Sequence, residues 1–564
     1  MNHLESFRLA KHGLFVHFVH NATSFSDGRK PQSIDETVDS FDVEGFADTV
    51  ARMGVQYLIF TVWHWKAMPL YPSKVHEKWR ASKAPKRDLI GEIVDAITKR
   101  DIMMILYTHP RDGQDFDPED KISTGWGLCG DSFPDEKTFQ HDKWNRYVME
   151  LYEELFDRYA SKISGIYTDG MGPYCPYHNF GPGDSRFQIV NYLKIRTMLK
   201  DRNPSAFMIQ NYFGNPFCND IAMPEGYPEY QQLLDAGHPI STWPVCMKSF
   251  ALQCFTHGWY VGTSVRGESC IKMPPDEMIQ FAFLQASVSD QGGIAWATGP
   301  YCEGNVWGVD VVETLTYVGD TMHRFEYSLM HANPSRSYPT VSGDTLLSRQ
   351  YRFCMTSGDG TREYLHLLKM PENREIILPA PSDGAVLCKP YSQTPGVTVT
   401  AWEKVDGGMR LSLSGNADPV DTVIVFERKE CAPYVRKKIL NDTDPRIAYI
   451  GDWRYVDNDD TKFNECGVGA IECDYHVTFF EHAAAFLAFE GHGIEIIGAA
   501  NPEWGNANIY IDRIFVGVID ESSPVPCVRF SAFRSENLGG GWHTVEIVTN
   551  ENKPFALDAI QIVP

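Results

Sequence analysis

The chain has 564 residues, of which 43% are hydrophobic and 22% are charged, a composition typical of globular proteins. Its 51 lysines and arginines stand against 74 aspartates and glutamates, which gives a formal net charge of -23. Such a net acidic charge disfavours binding to nucleic acid or to an anionic membrane, and the apolar runs are too short to cross a bilayer. We therefore expect neither nucleic acid nor a membrane among its partners.

The N-terminus and the cysteines bear on the cellular compartment. Residues 1–11 contain no apolar segment of the kind that a signal peptide needs. We expect a cytoplasmic protein if Met1 is the native start, and a secreted or periplasmic one otherwise. The 13 cysteines are odd in number and form no Cys-x-x-Cys pair, so we expect reduced core thiols and neither a disulfide framework nor a zinc site.

Residues 1–335 alternate short apolar runs with amphipathic stretches, which predicts strands alternating with helices. Eight such strands predict an α/β fold of the (β/α)8 TIM-barrel type, irregular in its second half. Asp88 and Asp276 stand where helix N-caps belong. The predicted strands are Gly13–Val19, Val55–Val62, Asp101–Thr108, Ile163–Asp169, Ala206–Asn211, Pro239–Val245, Trp259–Thr263 and Gly292–Ala297. The predicted helices are Val43–Arg52, Leu89–Lys99, Trp144–Ala160, Phe187–Leu199 and Asp276–Ala286.

The pattern changes after residue 335, where short alternating strands are separated by turn sequences. Residues 336–430 predict one β-sandwich, with hairpin turns at 357–360 and 406–408. Residues 431–564 begin with a polar, charged linker and then predict a second all-β sandwich. We therefore expect three domains, at 1–335, 336–430 and 431–564.

In a TIM barrel the functional side chains stand at the carboxyl ends of the strands. Here the first three predicted strands end near histidines, His17, His64 and His109, and the fourth ends at Asp169. Imidazoles bind hydroxyl groups by donating and accepting hydrogen bonds, and aromatic rings offer an apolar surface to a sugar ring. The sequence therefore predicts a sugar as ligand, with Trp63, Tyr107 and Trp243 as further candidate substrate-binding residues.

Six motifs resemble glycoside hydrolase family 29, the α-L-fucosidases, and occur in that family's order. They are residues 11–17 (KHGLFVH), 54–64 (GVQYLIFTVWH), 87–92 (RDLIGE), 166–170 (IYTDG), 243–247 (WPVCM) and 288–293 (VSDQGG). The resemblance covers about residues 8–430 and implies a retaining exo-glycosidase that removes terminal α-L-fucosyl or closely related residues from an oligosaccharide or glycoconjugate, without a cofactor or a metal. Residues 445–564 resemble a carbohydrate-binding-type β-sandwich, and formation of a homo-oligomer is left open.

The same resemblance implies roles for individual residues. Asp169 corresponds to the family's nucleophilic aspartate, although Asp-Gly is also a common turn pair. Glu225 and Glu229 lie in the loop that resembles the one supplying the acid/base, and Glu268 is a third candidate. The two carboxyl groups of a retaining glycosidase lie about 5–5.5 Å apart.

The sequence also departs from the family pattern. Two adjacent histidines, an acidic residue and a glycine are usual at the second strand, whereas here His64 is followed by Trp65, Lys66 and Ala67. These changes alter the pocket that binds the sugar. The resemblance therefore supports the glycosidase chemistry of the family better than its specificity for fucose.

Two other function classes remain as alternatives. A metal-dependent barrel hydrolase also places histidines at strand ends, although His17 and His20 would point to opposite faces of a strand. A non-catalytic sugar-binding relative would fit the altered histidine motif. The metal content of the purified protein tests the first alternative, and turnover of aryl glycosides tests the second.

Overall fold

The computed structural model describes the chain from residue 3 to residue 563, apart from a set of excluded positions. These are residues 65, 114, 128–137, 170–189, 191, 211–220, 223–247, 250, 255–268, 288–292, 336, 339–351, 430–437, 445, 457–474, 525–526, 537 and 540. The described residues form two compact units, one between residues 3 and 429 and the other between residues 438 and 563. The division into three domains stays a prediction, as do the strands predicted at 239–245 and 259–263, which lie outside the described residues.

Over the described residues, the first unit contains a parallel sheet of nine strands. They are β1 (His12–Val16), β2 (Tyr57–Trp63), β3 (Met103–Thr108), β4 (Gly165–Thr168), β5 (Phe207–Gln210), β6 (Ile221–Ala222), β7 (Lys248–Ser249), β8 (Ala251–Cys254) and β9 (Ile294–Ala297). Their order is β7-β6-β5-β4-β3-β2-β1-β9-β8. The first strand thus pairs with β9 as well as with β2, as in a barrel whose last strands return to the first, and the predicted TIM-type fold is confirmed.

Among the described residues, helices separate the strands from β1 to β5 and also β8 from β9, and four helices begin at a side-chain cap, namely Ser33, Asp42, Ser73 and Asp88. Over these residues the α-helices are α1 (His3–Leu9), α2 (Ile34–Asp39), α3 (Val43–Arg52), α4 (Lys74–Trp79), α5 (Leu89–Thr98), α6 (Pro118–Thr124), α7 (His141–Tyr159), α8 (Tyr192–Arg202), α9 (Pro275–Ala286) and α10 (Val311–Arg324). The Asp88 carboxylate accepts a hydrogen bond from the Gly91 N–H, so its predicted capping role is confirmed. The prediction for Asp276 is wrong: Pro274 is the N-cap and Pro275 opens α9, because proline suits the first helical position, and Asp276 lies in the first turn.

Aromatic side chains fill the interior of the barrel. The ring of Phe15 lies 5.2 Å from that of Tyr107 and 5.5 Å from that of Tyr167, measured between centroids. The Tyr57 hydroxyl donates a hydrogen bond to the carbonyl of Ile294 at 2.7 Å. A Cβ atom at Gly13 would lie 2.1 Å from the Tyr57 ring, so the close approach of this ring to β1 requires a glycine.

The remainder of the first unit is a β-sandwich, as predicted. Its strands are β10 (Asn333–Pro334), β11 (Arg352–Thr356), β12 (Arg362–Leu367), β13 (Glu375–Leu378), β14 (Val386–Ser392), β15 (Val397–Val405), β16 (Gly408–Gly415) and β17 (Thr422–Lys429). They form antiparallel sheets in the orders β10-β11-β12-β17-β14 and β13-β16-β15. A shared apolar core that includes Leu365, Leu411 and Phe426 fills the space between the two sheets.

The second unit is entirely β-structure over its described residues. Its strands are β18 (Lys438–Asn441), β19 (Ala448–Ile450), β20 (Trp453–Val456), β21 (Tyr475–Thr478), β22 (Ala484–Glu490), β23 (Gly493–Ala500), β24 (Asn506–Ile511), β25 (Ile514–Asp520), β26 (Cys527–Glu536), β27 (Trp542–Thr549), β28 (Phe555–Leu557) and β29 (Ala559–Val563). The sheet orders are β18-β29-β23-β26, β19-β22-β27-β24-β25 and β20-β21-β28, and one apolar core contains residues of all three. No helix in the described part of the chain has the length and apolar character needed to cross a membrane.

Candidate active site

Four neighbouring strands of the barrel bring polar side chains to one end of the sheet. His17, His64, His109 and Asp169 directly follow β1, β2, β3 and β4. Because these strands are parallel and adjacent, the residues that follow them lie together at the carboxyl end. The ring centroid of His64 lies 5.6 Å from that of His17 and 4.8 Å from that of His109. The structure thus brings together the three histidines that the sequence singles out.

Asp169 is half-buried at this end of the barrel and is held from two sides. Its N–H donates a hydrogen bond to the Thr108 carbonyl at 2.8 Å. Its Oδ2 atom accepts a hydrogen bond from the Tyr107 hydroxyl. Tyr107 is itself fully buried, so its hydroxyl holds Asp169 from the barrel interior, and its predicted contact with the substrate stays a prediction.

His17 is the most deeply buried of the three imidazoles, with 7% of the residue exposed. Its ring lies edge-on to Phe15 and Tyr107, at centroid distances of 4.4 and 4.9 Å. Burial lowers the pKa of His17 well below its ordinary value, the charge of His64 lowers it further, and Asp169 acts in the opposite direction. His17 is therefore a neutral imidazole, able to donate one hydrogen bond and to accept one.

His64 is paired with a carboxylate that the sequence analysis missed. His64 Nδ1 donates a hydrogen bond to Oδ2 of Asp112 at 2.6 Å, and the Asp112 side chain has no exposed surface. Burial alone would lower the pKa of His64, but the hydrogen bond and the charge of Asp112 outweigh it and raise that pKa. Burial alone would raise the pKa of Asp112, but the attraction of His109 and His64 lowers it. The two side chains therefore favour the charged pair.

His109 completes this group. Its ring is nearly parallel to that of His64, with an angle of 9° between the two planes, and its Nδ1 atom lies 3.5 Å from Oδ1 of Asp112. Burial lowers the pKa of His109, and the charge of Asp112 opposes that effect only in part. The site thus presents two neutral imidazoles, of His17 and His109, beside one that favours the charged form, that of His64.

The chain that follows His64 is held in a strained conformation. Lys66 and Ala67 have φ angles of 54° and 38°, which L-residues rarely adopt. The guanidinium of Arg80 donates hydrogen bonds to both of their carbonyl groups, at 2.5 and 3.1 Å. Arg80 in turn forms a buried ion pair with Asp120 at 2.8 Å. This arrangement fixes the loop that continues from His64.

Within the described part of the site, His64, His109 and Asp112 form a group that could bind a metal ion, since their donor atoms lie within 4.8 Å of one another. Two ligands of one tetrahedral zinc ion, each about 2.1 Å from it, stand about 3.4 Å apart. The distance of 3.5 Å between His109 and Asp112 fits this spacing. The distance of 2.6 Å between His64 and Asp112 is that of a hydrogen bond. The geometry therefore favours a carboxylate–imidazole hydrogen bond over a shared ion.

The remaining predicted site residues lie elsewhere or are not described. Trp63 is 2% exposed, and its ring packs against Tyr152 of α7 at a centroid distance of 5.3 Å. Strand alternation turns it away from His64, so it lies in the packing between the sheet and α7. The last group of predicted residues falls outside the described part of the chain: Glu225, Glu229, Trp243 and Glu268.

Comparison of the sequence with known proteins gives matches to fucosidases over part of the chain. The profile of the α-L-fucosidase family matches residues 32–248. A tissue α-L-fucosidase of Bos taurus is 35% identical over 197 residues, which are 34% of this chain and 38% of that protein. A putative α-L-fucosidase of Caenorhabditis elegans is 35% identical over 86 residues, 15% of this chain and 17% of that protein. The matched segments thus span less than two fifths of these relatives.

Solved structures show the same fold along more of the chain. A family 29 α-L-fucosidase of Bacteroides thetaiotaomicron superposes with a TM-score of 0.55 and 16% identity, covering 76% of this chain and 95% of that one. An α-L-fucosidase of Vibrio sp. strain EJY3 superposes with a TM-score of 0.55 and 14% identity, covering 100% of this chain and 98% of that one. The similarity to family 29 and the barrel with following β-sandwiches are therefore confirmed.

Proposed function

We propose that this chain, whose residues 32–248 match the α-L-fucosidase family, is a retaining exo-glycosidase that hydrolyses terminal α-L-fucosyl or closely related residues. The observation that carries the proposal is the placement of Asp169. A half-buried carboxylate stands at the carboxyl end of β4, held by the Tyr107 hydroxyl. The imidazoles of His17, His64 and His109, which bind hydroxyl groups well, occupy the same end of the barrel.

The proposed reaction is a double displacement. In the first step Asp169 attacks the anomeric carbon, the glycosidic bond breaks, and a carboxylic acid gives its proton to the departing oxygen. In the second step the same group, now a carboxylate, removes a proton from water, which attacks the anomeric carbon and releases Asp169. We assign this acid/base role to Glu225 or Glu229, which lie outside the described residues.

The surroundings of Asp169 suit a nucleophile. The Tyr107 hydroxyl donates a hydrogen bond to Oδ2, which fixes the plane of the carboxylate that attacks the sugar. A structural neighbour supports the covalent step: a family 29 α-L-fucosidase of Bacteroides thetaiotaomicron is described as a trapped covalent intermediate with 2-fluoro-fucosyl fluoride. That protein is 15% identical to this chain.

The first test of the proposal is a panel of 4-nitrophenyl glycosides, assayed with the parent and with Asp169→Asn. We expect turnover of the α-L-fucoside and a loss of kcat of about 1000-fold or more in the variant, because removal of a nucleophile disables the catalytic residues that act with it. The buried carboxylate of Asp421, which lies in the β-sandwich, supplies the matched control: Asp421→Asn should keep kcat within about twofold. An Asp169→Asn variant as fast as the parent would refute the assignment.

A second test distinguishes retention from inversion. NMR of the first-formed sugar should show the α-anomer, because two displacements restore the starting configuration. In Asp169→Gly, added azide should take the place of the carboxylate and give the β-fucosyl azide in a single displacement. A β-anomer released by the parent would mean inversion. A parent that binds fucose but turns over no glycoside of the panel would identify a non-catalytic sugar-binding relative.

A further inference from the structure

Asp112 is a buried carboxylate that no part of the proposed reaction uses. It lies three residues beyond His109, in the loop that follows β3, and its side chain has no exposed surface. Taking an ionised carboxylate out of water costs several kcal/mol unless it is paired. Its two oxygens face two different imidazoles, with Oδ2 at 2.6 Å from His64 and Oδ1 at 3.5 Å from His109. The carboxylate thus forms a hydrogen bond with His64 and lies close to His109 without a hydrogen bond to it.

The hydrogen bond to Asp112 fixes the plane of the His64 ring. The His109 ring stacks on that of His64, and its Nδ1 atom lies 3.5 Å from the same carboxylate. His64 and His109 come from different strands, yet their rings lie parallel, 9° apart in plane and 4.8 Å between centroids. The His64 side chain is 15% exposed and the His109 side chain is 16% exposed, whereas the Asp112 side chain has no exposed surface. The carboxylate therefore lies behind two rings that reach the surface of the site.

Apolar side chains also lie near Asp112. Trp63, Trp144 and Val148 line a small cavity that Asp112 and His109 also border. Trp144 and Val148 belong to α7, a helix of 19 residues. Apolar walls keep water from competing for the carboxylate, which strengthens its hydrogen bond to His64. The pair of rings is in this way anchored to the barrel wall.

We propose that Asp112 is a positioning residue that holds His64 and His109 as one rigid imidazole pair, and that this pair sets the affinity of the site for the hydroxyl groups of the sugar. The inference rests on the proposed function, since it assigns a role within the same substrate site. Asp112 acts through the two rings and does not itself contact the sugar. Its removal therefore weakens binding more than it slows the chemical step at Asp169.

The test compares Asp112→Asn with Asp421→Asn. Asp421 forms an equally short hydrogen bond, 2.6 Å, to His366 in the β-sandwich, where both side chains are fully buried. We expect Asp112→Asn to raise KM for 4-nitrophenyl α-L-fucoside about 10- to 100-fold, in line with the loss of a residue that orients a ligating histidine. Its kcat should fall less than about threefold. Asp421→Asn should change both constants less than about twofold.

Binding is measured separately with an iminocyclitol inhibitor by calorimetry. Asp112→Asn should weaken this binding by the same factor by which it raises KM. A parent that neither hydrolyses fucosides nor binds the inhibitor would refute the proposed function itself. An active parent with an unchanged KM in Asp112→Asn, or a variant that loses kcat alone, would refute only the role of Asp112. If Asp112→Asn does not fold, Asp112→Glu, which keeps the charge but displaces it, should show the same rise in KM, and an unchanged KM would again refute the role.

A double-mutant cycle tests whether Asp112 acts through the rings. In a His64→Gln/His109→Gln background the carboxylate has no imidazole to hold, so the further change Asp112→Asn should alter kcat/KM less than about threefold. In the parent background the same change should lower kcat/KM about 10-fold or more. Equal effects in the two backgrounds would mean that Asp112 acts independently of the histidines and would refute the proposal.

Discussion

Among the described residues of the first unit, two aspartate–histidine pairs have the same bond length and different surroundings. His64 Nδ1 lies 2.6 Å from Asp112 at the carboxyl end of the barrel, and His366 Nδ1 lies 2.6 Å from Asp421 in the β-sandwich. The ring of His366 stacks on Phe353 with an angle of 5° between planes, and its Nε2 atom donates to the Ser328 carbonyl at 3.0 Å. His366 is therefore bonded within the protein through both ring nitrogens.

The difference between the pairs lies in what adjoins the ring. His366 has no exposed surface, whereas the His64 side chain is 15% exposed and stands beside His17, His109 and Tyr107. A short carboxylate–imidazole bond is thus a means of fixing a ring in either setting. It serves packing where the ring is enclosed, and it serves binding where the ring borders a site. Exposure and neighbours, and not the bond itself, separate the two roles.

The largest expected effect concerns the stability of the enclosed pair. Asp421→Asn should lower the free energy of unfolding of the first unit by about 2–4 kcal/mol, because it weakens a hydrogen bond that no water can replace. Asp112→Asn should cost about 1 kcal/mol, since the ring of His64 is reached by solvent. The thermal unfolding midpoints of the two variants measure the contrast. Equal shifts of the two midpoints would remove the distinction between the pairs.

Lys11 sharpens the comparison because it is a buried amine that has no partner in the described part of the chain. Its Nζ atom has no hydrogen bond among the described residues, and burial lowers its pKa to about 7. Between about pH 7 and pH 10.5 the unfolded chain holds a proton that the folded chain has lost, so this group makes stability rise with pH over that range. Lys11 destabilises the folded chain fully below about pH 7. This destabilisation disappears above about pH 10.5, the pKa of the lysine in the unfolded chain.

Lys11→Met should therefore stabilise the protein by roughly 2–4 kcal/mol at pH 6–7, with a gain that shrinks as the pH approaches 10. Denaturation curves of parent and variant at several pH values measure this gain. The matched control is Lys86→Met, because the Lys86 side chain is 92% exposed, and it should change stability by less than about 0.5 kcal/mol at every pH. A gain from Lys11→Met that does not vary with pH would contradict the assigned titration.

Much of the barrel could be predicted from the sequence, because buried parallel strands are continuous apolar runs. The strand predicted at 101–108 occurs at Met103–Thr108, and the helix at Val43–Arg52 was predicted with its observed bounds. Strand β14 is difficult to recognise in the sequence because Lys389 and Pro390 interrupt its apolar pattern. It lies at the edge of its sheet, where a proline costs no ladder hydrogen bond.

The site could be predicted in part for the same reason. Strand ends point to His17, His64, His109 and Asp169, because residues that follow parallel strands meet at one end of the sheet. Asp112 was missed because it belongs to a Pro-Arg-Asp-Gly sequence, which is typical of a turn. Its spacing of three residues from His109 was the available signal, but only the fold places it against His64 of the neighbouring strand.

Tyr107→Phe tests the other polar contact at the mouth of the barrel. Without the hydroxyl that holds Oδ2 of Asp169, the nucleophile loses its fixed orientation, and kcat should fall about 10-fold, equivalent to about 1.4 kcal/mol. Tyr57→Phe is the matched control, since it removes a buried tyrosine hydrogen bond to the Ile294 carbonyl without a contact to Asp169. An equal loss of kcat in both variants would assign the effect to packing of the barrel interior.

The smallest expected effect separates the carboxylate mechanism from metal-dependent hydrolysis. Treatment with a chelator should leave kcat/KM within about twofold, because the proposed reaction needs only carboxyl groups. Added zinc should inhibit reversibly, because it would bind His64, His109 and Asp112 and exclude the sugar from the two imidazoles. The donor atoms of these three residues lie within 4.8 Å of one another. Asp112→Asn should weaken this inhibition, and Asp421→Asn should not, because no ion reaches the enclosed pair. Loss of turnover on chelation, with recovery on adding zinc, would instead make the three residues a catalytic metal site.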